Sequence, residues 1–155
     1  MELSLMQALL LALWYWITTW YIGYSWGCAW FMDALVTGLV VGIVLGDVPT
    51  AMKCAAAIKP MFLAFTAAGG TVVWDEAAAT LGGVSITMLS GMDVSQSVTI
   101  AVPLSLLCAQ LHTVRRIVMI YPVQKADEYA KVGNTKGIMF MATVWPQAFK
   151  LVLFG

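Results

Sequence analysis

"GLVVGIVLGDVPTA", residues 38–51, is the stretch on which the fold turns. An unbroken apolar run reaches Gly46 and then stops at Asp47 and Pro49. A helix that crosses a bilayer needs ~20 apolar residues at ~1.5 Å rise each, and the run from Val36 to Gly46 is too short. Apolar character resumes at once in "AMKCAAAIKPMFLAFTAAGG", residues 51–70. That stretch reaches spanning length only by tolerating Lys53, Lys59 and Pro60 inside it.

Composition sets the class around this stretch. Apolar residues make up 61% of the chain and charged residues 10%, against ~25% charged in soluble domains. Too little polar surface remains to cover a water-exposed globule, so an integral membrane protein is expected. Eight basic and eight acidic side chains cancel, and no basic field favours nucleic acid. Cys28, Cys54 and Cys108 are scattered, odd in number and without a CxxC pair. Zinc and disulfide readings therefore fail, and small buried apolar roles are expected instead. The N-terminal stretch carries Glu2 where a signal peptide is basic and has no small-residue cleavage site, so it reads as mature structure. No Ser/His/Asp, Cys/His or metal-ligand constellation stands out. Neither catalytic residues nor a metal nor a cofactor are expected.

The remaining segments repeat the pattern of short or broken apolar runs. Leu5 to Tyr24 is long enough to span and is rich in Trp and Tyr, which favour the membrane–water interface. Ala77 to Gly91 is short and glycine-interrupted. Val94 to Tyr121 is long enough, with Pro103 as an expected kink. Gly137 to Phe154 holds Pro146 and Lys150. Broken backbone survives at membrane depth only where protein covers it or water reaches it. Short, Gly/Pro-interrupted segments point to the binding region of a transporter. The expected fold is thus an all-α integral membrane protein in a single membrane domain. Residues 1–90 form re-entrant helical hairpins, and residues 91–155 form two transmembrane helices joined by a basic loop. Arg115, Arg116, Lys125, Lys131 and Lys136 place that loop in the cytoplasm by the positive-inside rule, which leaves the N-terminus outside. Gly38, Gly42 and Gly46 form a doubled GxxxG, a flat strip for close helix approach. The strip serves either packing within the chain or contact with a second subunit.

At this point the sequence resembles a known family. "GLVVGIVLGDVPTA" is similar to the "vGlvlGD…tG" segment of the IIC components of the mannose–fructose–sorbose family, in the bacterial phosphoenolpyruvate-dependent sugar phosphotransferase system. "GGTVVWDEAAATLGGV", "IAVPLSLLCAQL" and "VQKADEYAKVGN" resemble further segments of that family in the same order. The resemblance implies a multi-pass permease subunit of the bacterial cytoplasmic membrane that binds a hexose or amino sugar and passes it inward. It implies an IID-like integral membrane subunit and cytoplasmic IIA and IIB phosphocarrier proteins as partners, in an oligomer surrounded by membrane lipid. Phosphate passes from histidines of the soluble partners to the sugar, so the chain is a component of a phosphotransferase complex without catalytic residues of its own. The single histidine, His112, reads as a helix-end or interface residue beside Arg115 and Arg116.

The sequence departs from the family at the positions that would meet sugar. "AIKP" puts Lys59 and Pro60 where the family places a glutamate, exchanging an acceptor for a donor. Trp74-Asp75 stands for the family's Pro-Asp, and the helical glutamine falls one residue late, at Gln110. The chain stops at Gly155, short of the family's later spans, and is read as an incomplete IIC. An intramembrane charge costs ~2.5–3.5 kcal/mol at a helix centre. Lys59 is therefore either a donor to substrate or the partner of Asp47 or Asp75 in a structural ion pair. Asp47 is expected to cap the following helix, with a sugar contact as its other reading. Asp75 and Glu76 divide between cap and sugar acceptor. The expected substrate-binding set is Lys59, Asp75, Glu76, Gln110 and Asp47. A rival reading is a shortened, non-transporting paralogue that serves as a membrane assembly or regulatory partner.

Overall fold

A computed structural model of the chain describes residues 4–18, 28–63 and 74–154. The far end of the first apolar segment, the end of the second and the Cys28 side chain lie outside the described residues. Among the described residues every regular element is helical and no strand occurs. They fall into two units, residues 1–109 and 110–155, each built on its own.

The first unit is organised by a hairpin. Helix α3, Ala34–Leu45, ends at Gly46, whose φ of 85° lies in the left-handed region and whose N–H donates to the Gly42 carbonyl at 2.9 Å. Glycine adopts that conformation without a Cβ clash. Asp47 follows as the N-cap of α4, Val48–Phe62, accepting from Thr50 N at 3.1 Å, with Pro49 in the first turn. Two residues thus reverse the chain. The arms have 12 and 15 residues, or ~18 and ~22 Å at ~1.5 Å per residue, well under a bilayer core. Pro60, inside α4, offers no N–H, and the helix ends at Phe62.

Small residues let these arms touch. A Cβ on Gly38 would overlap the Ala55 Cβ, and one on Gly42 would lie 2.8 Å from the Val48 Cα. The strip therefore seats α4 of the same chain at Gly38 and Gly42, whereas Gly46 serves the turn. Ala51, Cys54, Ala55 and Ile58 of α4 are fully buried in the resulting core. Leu35, Leu39 and Ile43, on the other side of α3, stay exposed, as apolar side chains facing lipid do.

Helix α5, Glu76–Ser90, packs against both arms and is polar only in small ways. Thr80 and Thr87 are buried, and their hydroxyls donate to the Glu76 and Gly83 carbonyls one turn back. Gly91, with φ of 64°, ends it. Helix α6, Val94–Val118, follows after Asp93, which accepts from Val94 N and the Ser95 hydroxyl. Gly83 meets Ala101 and the Ser97 carbonyl, so this second hairpin is also closed by small residues. Helix α1, Leu5–Thr18, is tied at both ends: Gln7 Nε2 donates to the Val44 carbonyl at 3.0 Å, and Tyr15 donates to Asp75. A short helix, α2 (Cys28–Phe31), leads into Asp33.

In the second unit, α7 (Ile120–Lys131) carries an exposed Lys125–Glu128 pair, and α8 (Thr135–Met139) is capped by Asn134. The basic connection is thus helical as far as Lys131. Phe140–Val144 forms one π turn, in which Trp145 N donates to the Phe140 carbonyl, before α9, Trp145–Phe154. Pro146 has no N–H for the carbonyl four residues back, and the widened turn accommodates that loss. Trp145 stacks on Phe149 at 5.7 Å, and Tyr121 sits 6.0 Å from Trp145.

Val94–Lys131, interrupted by a turn at Met119, is long and apolar enough to cross a membrane, whereas α1 and α3 are apolar but shorter. Pro103 lies inside α6, and the helix continues through it.

Replacing Gly42 with Leu forces α4 off α3. The expected loss is ~1–3 kcal/mol from overpacking, read as a lower melting temperature of the purified protein in detergent, with membrane insertion retained. Gly46→Ala meets no neighbouring atom and should cost only the left-handed backbone penalty, ~1–2 kcal/mol.

Candidate functional site

The α3–α4 reversal returns the end of α4 to the start of α3, and α5 begins at the same place. Three helix ends converge there, two N-termini and one C-terminus. Partial positive charge at helix N-termini favours carboxylates, and partial negative charge at a C-terminus favours an ammonium. Asp33 caps α3, accepting from Leu35 N at 2.8 Å. Lys59 occupies the last turn of α4, and Glu76 the first turn of α5.

Lys59 Nζ donates to Asp33 Oδ2 at 2.7 Å and to Glu76 Oε1 at 2.7 Å. Glu76 Oε1 also accepts from Ala34 N at 2.9 Å, so one carboxylate ties α5 to both arms of the hairpin. Each of the three side chains is about one-quarter exposed, at 23%, 29% and 24% for Lys59, Asp33 and Glu76. The cluster therefore reaches a surface. An open cavity of 410 Å³ beside it is lined by Trp30, Asp33, Leu35 and Val36.

The geometry corrects one expectation. The partners of Lys59 are Asp33 and Glu76, not Asp47 or Asp75. Asp47 begins α4, ~18 Å along the axis from Lys59 at ~1.5 Å per residue, and acts there as the expected cap. Asp75 is 7% exposed and caps α5, accepting from Ala78 N at 2.9 Å, while its other oxygen accepts from the Tyr15 hydroxyl at 2.5 Å. Glu76 is next to it in sequence, so the structure brings Lys59, Glu76 and Asp75 into one neighbourhood. Gln110 is exposed on α6 and belongs to the second unit. Asp33 and Tyr15 are absent from the sequence-derived set. Asp33 did leave a signal, an acid directly before an apolar helix, which is the pattern of an N-cap.

Chemically the cluster offers both hydrogen-bonding senses. An ammonium has three donors and a carboxylate about four acceptor positions. Lys59 uses two donors within the cluster, and Glu76 Oε2 receives none from the described residues. A glutamate in place of Lys59 would instead set a third carboxylate against Asp33 and Glu76.

Lys59→Met should strand two carboxylates. Breaking a buried pair costs ~3–5 kcal/mol, and partial exposure puts the expected loss near the lower figure. Thermal denaturation checks it, and adding Asp33→Asn with Glu76→Gln should recover most of the loss. Tyr15→Phe removes a hydrogen bond to a buried carboxylate and should cost ~1.5–3 kcal/mol by the same measurement.

A chain in the cryo-EM structure of the mannose transporter ManYZ in complex with microcin E492 shares the fold, with a TM-score of 0.86 and 22% sequence identity. The match covers 99% of the present chain and 61% of that one, so the chain spans about three-fifths of its relative's length. No curated protein matches significantly. The family described as the sorbose-specific IIC component of the PTS, the phosphotransferase system, matches residues 5–155. This is a membrane protein, and the chain belongs to the PTS sorbose-specific IIC family.

Proposed function

We propose that the chain is the sugar-permease subunit, IIC, of a mannose-family phosphotransferase system. It lies in the bacterial cytoplasmic membrane as a multi-pass protein and binds a hexose or amino sugar at the Asp33–Lys59–Glu76 cluster. Sugar hydroxyls donate to the spare carboxylate positions, and the third N–H of Lys59 donates to a ring oxygen or hydroxyl. Such charge-assisted bonds are stronger than neutral ones. An IID-like membrane subunit and cytoplasmic IIA and IIB phosphocarriers complete the system and supply the phosphoryl group. The convergence of three broken-helix ends carries this reading. Transporters place substrates where discontinuous helices present their termini. In this reading α3–α4 and α5 belong to the re-entrant hairpin region, residues 1–90, and α6 begins the pair of transmembrane helices, residues 91–155.

The second reading is a non-transporting assembly or regulatory partner. It is favoured by the engagement of Lys59 with two carboxylates, which clamps the helix ends together whether or not a sugar enters.

Binding of mannose to the purified chain, followed by isothermal titration, separates the two. Loss of one hydrogen bond to a charged group is worth ~1.5–3 kcal/mol, so Glu76→Gln should weaken binding about tenfold or more. Asp47→Asn retains a capping side chain and should leave it unchanged. A stable protein that binds no sugar would favour the assembly partner. Topology has its own test, in a background lacking the native cysteines. Pro49→Cys and Met92→Cys should react with an impermeant reagent from outside, and Gln124→Cys only from inside.

A further inference from the structure

Charge is divided unevenly along the chain. Residues 1–109 hold six of the eight acidic side chains and two of the eight basic ones, whereas residues 115–136 hold five basic and two acidic ones. Lys125 and Glu128 pair with each other, and the segment keeps a surplus of three positive charges. Arg116, Lys131 and Lys136 are exposed. Bulky apolar side chains alternate with these charges, and Ile117, Ile120 and Val123 are exposed as well. The segment continues the helical run that is long and apolar enough to cross a membrane, and Arg115 and Arg116 stand in the last turn of α6. Four of the 12 residues of α7 are charged, which excludes it from hydrocarbon. A helix that carries charges and exposed aliphatic groups together suits the plane where headgroups meet acyl chains. Tyr121 is exposed and lies 6.0 Å from Trp145, and both residue types concentrate at that boundary.

From this arrangement we infer that α7 and the end of α6 lie in the membrane–water interface and form a docking surface for anionic phospholipid headgroups. The headgroup phosphate supplies the negative charge that the segment lacks, and the acyl chains cover Ile117, Ile120 and Val123. Lysine and arginine lay their stems along apolar surface and hold their charge at headgroup level. An arginine fork binds two phosphate oxygens at once. A zwitterionic headgroup presents the same phosphate but cancels its charge with a cation of its own, so net charge decides between lipids. An acidic soluble protein would meet the charge but not the exposed aliphatic groups beside it, and this favours lipid. The inference depends on the chain being embedded in a membrane and is independent of sugar binding.

The test titrates the full-length chain, purified in a neutral detergent, with dioleoyl phosphatidylglycerol and with dioleoyl phosphatidylcholine, and counts bound lipid by native mass spectrometry. Phosphatidylglycerol should bind at least about tenfold tighter, because each basic side chain at a charged surface is worth about fivefold, ~1 kcal/mol. Added salt should erode the difference by screening. Joint replacement Lys131→Gln and Lys136→Gln should bring the ratio toward one, whereas Lys53→Gln, on α4 outside the segment, should leave it unchanged. Asp127→Asn enlarges the surplus and should raise the ratio, which keeps the inference testable if the double variant does not remain monodisperse. Equal binding of the two lipids by the unmodified chain overturns the inference and leaves the basic surface to an acidic soluble partner. A preference that the double variant retains in full, or that Lys53→Gln abolishes, places the lipid elsewhere and also overturns it.

Discussion

One ammonium group holds the first unit in register. Lys59 reaches from the last turn of α4 to the cap of α3 and the first residue of α5. Each of these ends carries unsatisfied backbone groups that water meets in a soluble protein. In an apolar chain with few charges, the same side chains must serve as caps and as ion pairs. Asp33 caps and pairs, Glu76 accepts from a backbone amide and pairs, and Asp75 caps and receives a tyrosine hydroxyl. Polar groups are few here, so each has several duties.

Close packing makes that economy feasible. Gly38 and Gly42 admit α4 against α3, and Gly83 admits α6 against α5. Apolar burial discriminates little between protein and lipid, so association rests on tight van der Waals contact and on polar ties. The backbones approach until only hydrogen or methyl groups fit between them. The charged cluster then finds its partners at hydrogen-bond distance.

Much of this architecture is legible in the sequence. The apolar excess and the interruptions at Asp47, Lys59 and Pro60 identify a helical membrane protein with short segments, and the cap at Asp47 follows from its position before a helical run, whereas Asp75 reads equally as cap or sugar acceptor. The partners of Lys59 are not legible, because ion pairing depends on which helix ends meet. Asp47 and Asp75 looked equally available, yet the two-residue turn carries Asp47 to the far end of α4 and brings Asp33, 26 residues from Lys59, to its side. The GxxxG strip shows the same limit: its spacing marks close approach without naming the neighbour. Tyr15 was hidden among aromatic residues whose composition suits a membrane interface, and only its 60-residue separation from Asp75 being closed by folding reveals its tie.

The two-residue turn between α3 and α4 also bears on biosynthesis. Neither arm is long enough to stay across a bilayer by itself, and each would leave polar ends at the wrong depth. The close contacts at Gly38 and Gly42 exist only when both arms are present and closed on one another. Its contacts are local in sequence, and local contacts form fast. The smallest unit in which the glycines of α3 meet the helix they fit is therefore the closed hairpin, complete at Phe62.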